Sequence, residues 1–111
     1  MTKEEMIEKL SLIEDDWDWR GGKKPSKKAI ARAAEIVDLF DEEMKKKCAV
    51  FPSCEGGVYV LYKDVDVRVN VFVRKDGKIV WFLKRGDENK VCIGSVGELK
   101  DYLKNLIGKE N

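Results

Sequence analysis

The chain reads as an α+β domain: two N-terminal helices, an antiparallel β-meander of about four strands and a C-terminal helix, with the helices packed on one face of the sheet. Three observations predict this. Apolar residues recur at three- and four-residue spacing up to about residue 46. After Cys48 the period falls to two and β-branched residues take over. After Ser95 the helical period returns. Strands that follow one another through short turns pair antiparallel, and helices placed before and after them cover one face of the sheet while the other stays partly solvated.

The first helix is expected from about residue 3 to 15. Thr2 and Glu5 form a capping box, and Met6, Leu10, Ile13 and Trp17 recur as one apolar stripe. Trp17 is therefore expected in the core. The glycine pair Gly21 and Gly22 ends this unit. Pro25 then precedes Ser26, a good N-cap, and Ile30, Ala33, Val37, Phe40 and Met44 mark a long second helix to about residue 46. Lys45, Lys46 and Lys47 stand where the helix dipole favours cations.

A short extended piece, Ala49 to Phe51, stops at Pro52, and Gly56 and Gly57 open a strand through Val58 to Tyr62. The next strand carries Val65, Val67, Val69, Val71 and Val73 on one face and Asp66, Arg68, Asn70, Phe72 and Arg74 on the other, the clearest strand signal in the chain. Asp76 and Gly77 make a hairpin into Lys78–Leu83, and residues 86–89 lead to a last strand at 90–93. Ser95 with Glu98 repeats the capping box, and Leu99, Leu103, Leu106 and Ile107 form the stripe of a helix ending near Gly108. With 111 residues and no repeat, low-complexity tract or linker, the whole of 1–111 is expected to fold as one domain.

Charged residues are 39% of the chain yet sum to +1, so global charge points neither to a polyanion nor to an anionic membrane. No apolar run approaches a bilayer span, and the start carries acids in place of a signal peptide, which predicts a cytoplasmic protein. The absence of Gln, with plentiful Lys and Glu, leans toward a thermophilic source. Three cysteines without a histidine fall short of a zinc site and read as free thiols, with a Cys48–Cys54 disulfide as the alternative. No cofactor or metal is expected.

The stretch Trp17-Asp18-Trp19-Arg20-Gly21-Gly22-Lys23-Lys24-Pro25-Ser26 is the one segment whose composition asks for more than a core. From Arg20 to Arg32 the chain holds six cations and no acid: Arg20, Lys23, Lys24, Lys27, Lys28 and Arg32. Lys27 and Lys28 fall in the first turn of a helix, where the dipole disfavours them, so the segment reads as an anion site or as a cluster neutralised by the acids of residues 14–18, the more ordinary reading. Trp19 is expected to cover the end of the sheet, with exposure as an interface anchor the alternative. On the sheet, Arg68, Phe72, Arg74, Phe82 and Lys84 alternate with the valine face and form a candidate binding surface, for protein ahead of single-stranded nucleic acid, with cross-strand packing of Phe72 and Phe82 beneath long basic side chains as the ordinary alternative. The glycine spacing fits neither a P-loop nor a dinucleotide fingerprint. The absence of histidine removes the commonest general base, Cys54 has no base that can be named beside it, and Asp15, Asp16 and Asp18 lack the pattern of a calcium loop. An enzyme is thus unsupported, and no catalytic residue is assigned.

Trp17-Asp18, the glycine pair, Lys24-Pro25-Ser26, an Ala-rich helix, and Pro52 followed by Gly56-Gly57-Val58-Tyr59-Val60-Leu61 together resemble a loose group of small uncharacterised prokaryotic and phage-associated proteins. These carry a Trp-Asp-Gly turn before a Pro and a helix, then a Pro and a Gly-rich approach to a strand. The likeness spans about residues 12 to 83. Trp19 stands where the group has glycine, and Gly21 and Gly22 are displaced. The resemblance implies a small α+β fold and a role in a mobile-element or defence-related system through binding another protein, with no active-site residue to carry over. The function expected is a cytosolic protein-interaction module, antitoxin-like or inhibitor-like, monomeric or homodimeric, using Trp19, the loop cations Arg20, Lys23, Lys24, Lys27 and Lys28, and the open sheet face. The alternative is nucleic-acid or phosphate binding through residues 20–32.

Overall fold

A computed structural model describes residues 3–40, 42–94 and 96–109, with the side chains of all of these except 3, 88, 90–94 and 104–109. Helix α1 (Lys3–Ser11) buries Met6 and Leu10. It stops four residues short of the expected end, and Ile13 N–H closes a turn onto Leu10 O (3.3 Å). Extending it to residue 15 or 16 would gather acids at a C-terminus, which the helix dipole opposes. Those acids are used in the following loop. Trp17 consequently leaves the helical stripe and is only partly buried.

Helix α2 (Lys27–Leu39) buries Ala29, Ala33, Ala34, Ile36 and Val37. Ser26 caps it, its Oγ accepting from Ala29 N–H at 3.0 Å. The expected single long helix is broken at Phe40, whose backbone is extended (φ −80°, ψ 142°). Helix α3 (Glu42–Lys47) then begins afresh. The break lets Phe40 turn into the core, its ring 6.0 Å from that of Tyr62. The charges fit two helices better than one: Glu42 and Glu43 stand at the start of α3 and three lysines at its end.

The strands β1 (Cys48–Pro52), β2 (Val58–Lys63), β3 (Val67–Val73), β4 (Ile79–Arg85) and β5 (Glu88–Gly94) pair in sequence order as an antiparallel meander. The expected extended piece is thus the edge strand β1, where Pro52 costs no internal ladder bond. Val65, expected within β3, lies exposed in the β2–β3 turn, where Asp64 Oδ1 accepts its N–H at 2.8 Å. The β3–β4 hairpin closes through Arg74 N–H to Lys78 O and Gly77 N–H to Arg74 O, both 2.8 Å. Gly77 takes the left-handed φ of +87° that this turn requires. The last strand starts earlier than expected, because the β4–β5 turn needs only Gly86 and Asp87 between Arg85 and Glu88.

One face of the sheet supplies the core: Val58, Val60 and Tyr62, then Val69, Val71 and Val73, then Ile79, Trp81 and Leu83. Helices α1, α2 and α4 (Val96–Lys109) cover that side, with Leu99 and Leu103 buried and Tyr102 packed on Trp81 at 5.1 Å between ring centroids. Among the described residues no helix packs on the opposite face. Among the described residues no helix is long and apolar enough to cross a membrane. The capping residues expected at Thr2 and Ser95 lie outside the described residues, as do the side chains of Leu106 and Ile107.

Candidate functional site

The loop of residues 12–26 is built by its own aspartates. Asp15 Oδ1 accepts Lys24 N–H (2.9 Å), Asp16 Oδ1 accepts Gly21 N–H (2.7 Å), and Asp18 Oδ1 accepts both Arg20 and Gly22 N–H (3.0 and 2.8 Å). The two bonds from Arg20 and Gly22 stabilise the charged carboxylate and hold the Asp18 pKa below its ordinary value. Trp17 adds a staple, donating Nε1–H to Lys23 O at 3.0 Å. The far end is pinned to the sheet: Lys23 N–H donates to Cys54 O and Ser26 N–H to Gly56 O, both 2.9 Å, and Ser26 Oγ–H donates to Lys75 O at 2.6 Å.

This scaffold presents Trp19. It is 91% exposed, correcting the expectation that it covers the end of the sheet. Its φ is +63°, a left-handed conformation rare for a bulky residue. The carboxylates at 15, 16 and 18 are occupied with backbone donors, and among the described residues no three acidic, cysteine or histidine side chains converge as they would round a metal ion.

Arg20, Lys23, Lys24, Lys27 and Lys28 are all exposed. The expected neutralisation by neighbouring acids does not take the form of ion pairs: among the described residues the salt bridges involve Arg32, Lys45, Lys46 and Lys47. Arg32 belongs to the scaffold, its Nε donating to Gly77 O (3.1 Å) and its Nη1 pairing with Glu35 (2.9 Å).

The sheet residues singled out from sequence do share the uncovered face. Register pairs Phe72 with Val80, Asn70 with Phe82 and Arg68 with Lys84. Sequence reasoning missed the contribution of β2: Tyr59 pairs with Phe72 and Lys63 with Arg68, and Phe51 of β1 pairs with Tyr59. Phe51 and Tyr59 are 49% and 42% exposed, and the Tyr59 and Phe72 rings stack at 4.8 Å with a 30° tilt. The run Val58-Tyr59-Val60-Leu61-Tyr62 is apolar at every position, so period alone does not say which residues face out. Only the pairing with β3 decides it.

The loop and the sheet face meet in a cavity of about 550 Å³, lined among others by Lys23, Cys54, Glu55, Phe72, Arg74 and Lys75. Of the predicted residues this brings Lys23, Phe72 and Arg74 together and leaves Lys27 and Lys28 outside. A second cleft of about 250 Å³ lies at the other end of the strands, with Lys63, Arg68 and Lys84 beside Asp64 and Asp66. Asp64 is held below its ordinary pKa by Val65 N–H and by the side chain of Lys47, with which it pairs at 3.0 Å. Cys48 and Cys54 are free thiols; burial pushes the Cys48 pKa up, whereas Cys54 is exposed. Comparison with protein-family models, curated proteins and solved structures returns no match to this chain.

Proposed function

We propose that this chain is a small cytosolic protein-interaction module that seats Trp19 in a pocket of a protein partner. The observation that carries the reading is the presentation of Trp19: a large aromatic ring in solvent, on a backbone conformation that costs energy, in a loop fixed by backbone N–H groups that donate to its aspartates. Exposed tryptophans dominate binding energy when a partner buries them, and local strain persists where the surrounding structure enforces it. Arg20, Lys23 and Lys24 beside the ring supply steering charge toward an acidic rim. The resemblance to small mobile-element and phage-associated proteins favours an antitoxin-like or inhibitor-like role. In that group glycine holds the position of Trp19, and glycine adopts a left-handed φ without strain. A tryptophan there is a gain of side chain at a position fit for none, which binding would explain.

Phosphate binding through Arg20, Lys23, Lys24, Lys27 and Lys28 is the weaker reading, since of these Lys23 alone lines either of the two cavities described above. The test is affinity capture from host lysate with tagged wild-type and Trp19→Gly protein, each with and without nuclease. A stoichiometric protein that survives nuclease and is lost with Trp19→Gly is expected. Equal capture by both proteins would remove Trp19 from the function, and capture of nucleic acid alone would promote the phosphate reading.

A further inference from the structure

We infer that the uncovered sheet face is a second binding surface, distinct from Trp19, that takes single-stranded nucleic acid. Four successive strands each place one aromatic ring on it: Phe51, Tyr59, Phe72 and Phe82. Two of these rings are already stacked and two are close to half exposed. Cations close both ends of this aromatic strip. Arg68, Lys84 and Lys63 stand in one row at the 250 Å³ cleft, and Arg74, with Lys75 and Lys23, stands at the 550 Å³ cavity. Arg68 and Arg74 are six strand residues apart, about 20 Å, a track long enough for several nucleotides. The strand positions between them hold an amide, Asn70, and no acid; Glu55, Asp64 and Asp66 lie at the rims. Flat rings between two clusters of cations match a ligand that alternates bases with phosphates.

A second copy of this chain fits the face poorly. A two-fold axis along the strands would set the Arg68–Lys84 row against itself, and one across the strands would set it against the Arg74 end. Both oppose like charges at the rims of the apolar strip.

The test uses fluorescence anisotropy of labelled oligothymidylate and oligouridylate, with a duplex for comparison, at salt of about 50 and 200 mM. Binding to both single strands is expected, tighter than to duplex and weaker at the higher salt. Phe51→Thr/Tyr59→Thr keeps strand-compatible residues and should weaken binding about tenfold or more through lost stacking. Arg68→Gln/Lys84→Gln touches only exposed side chains, so it keeps the test decisive should the first variant misfold. It should flatten the salt dependence by about 1.4 in log–log slope. Trp19→Gly should leave the affinity unchanged, so this surface and the Trp19 reading stand or fall separately. Absence of binding at the lower salt would overturn the inference, as would oligonucleotide affinity that survives both sheet variants. So would sedimentation showing a dimer that the sheet variants dissociate, or a stoichiometric acidic protein released by them while oligonucleotides stay inert.

Discussion

Replacing Trp19 by glycine should leave the stability of the protein nearly unchanged while removing its most conspicuous surface feature. A non-glycine residue in the left-handed region costs about 1–2 kcal/mol, and Trp19 sits there at φ +63°. Glycine releases that strain but brings back unfolded-state entropy of about 0.5–1 kcal/mol. The ring itself contributes little, because 91% of the residue is exposed. If a tenth of a ring of about 200 Å² is removed from water, the loss is about 0.5 kcal/mol. The balance runs from about 0.5 kcal/mol against glycine to about 1 kcal/mol in its favour. Trp19→Ala supplies the control: it loses the same ring but keeps the strain, so it should fall below Trp19→Gly by about 1 kcal/mol. Urea denaturation of the three proteins, with unchanged m values, measures both differences. For a domain of this size 1 kcal/mol is about 4–8 °C in Tm. Trp19→Gly less stable than wild type by more than about 2 kcal/mol would refute the reasoning, since only a ring packed into the fold could account for it. Glycine and alanine variants of equal stability would show that the loop relaxes out of the left-handed conformation.

Four further outcomes follow from the geometry. Gly57→Ala should destabilise by about 2 kcal/mol or more, because its Cβ would collide with the backbone carbonyl of Val73; thermal melting checks it, and a neutral result would mean that the β1–β2 connection shifts freely. Ser26→Ala removes the cap of α2 and the tie to Lys75 O, at a cost of about 1–2 kcal/mol read by urea denaturation. The depressed pKa values of Asp18, Asp64 and Asp76 mean that each carboxylate stabilises the fold above its ordinary value of 3.8 and loses that contribution as pH falls through its folded value; acid titration followed by tryptophan fluorescence should show loosening below pH 3.8, and Asp18→Asn should remove the Asp18 part. Iodoacetamide should label Cys54 in the native protein well before Cys48, whose pKa is raised by burial.

Much of the fold was legible because each signal had a single structural solution. The valines at 67, 69, 71 and 73 have period two, and a strand that slipped by one residue would turn all of them to solvent. Asp76-Gly77 specified its hairpin through the positive φ that glycine accepts. The errors fall where two solutions compete. Phe40 fits a helical stripe as well as the extended break that it makes, and only its packing on Tyr62 selects the second. Trp17 continues the stripe of α1 by spacing, but the aspartates before it bind loop N–H groups more effectively than they could serve a helix C-terminus. Of the candidate site, the alternation in β3 and β4 placed Arg68, Phe72, Phe82 and Lys84 on one face, whereas the uniformly apolar β2 hid Tyr59. The exposure of Trp19 had no sequence signal, because a tryptophan in a turn fits a covered or an exposed position equally well.

The charge balance bears on why such a surface is compatible with a nearly neutral chain. The sheet face carries Lys63, Arg68, Arg74 and Lys84 at its two ends, four positive charges with no acid at a strand position between them. The whole chain sums to +1, so everything else sums to −3, the difference between +1 and +4. That deficit lies in the loops: α1 sums to −1, with Lys3 and Lys9 against Glu4, Glu5 and Glu8, and α2, α3 and α4 each sum to +1. The segregation is therefore local and not by layer, with Glu55, Asp64 and Asp66 at the rims of the sheet face, and a net charge near zero conceals rows of cations on the open side that would draw an anion. Two consequences separate this from a uniformly mixed surface. Association with a polyanion should strengthen steeply at low salt although the pI is near neutrality. Reversing charges on α1, as in Glu4→Lys/Glu8→Lys, adds +4, the same formal charge as four new lysines at neutral sheet positions, yet should change oligonucleotide affinity far less, because the helical layer lies on the far side of the core. Equal gains from the two placements would show that the total charge, and not its segregation, governs binding.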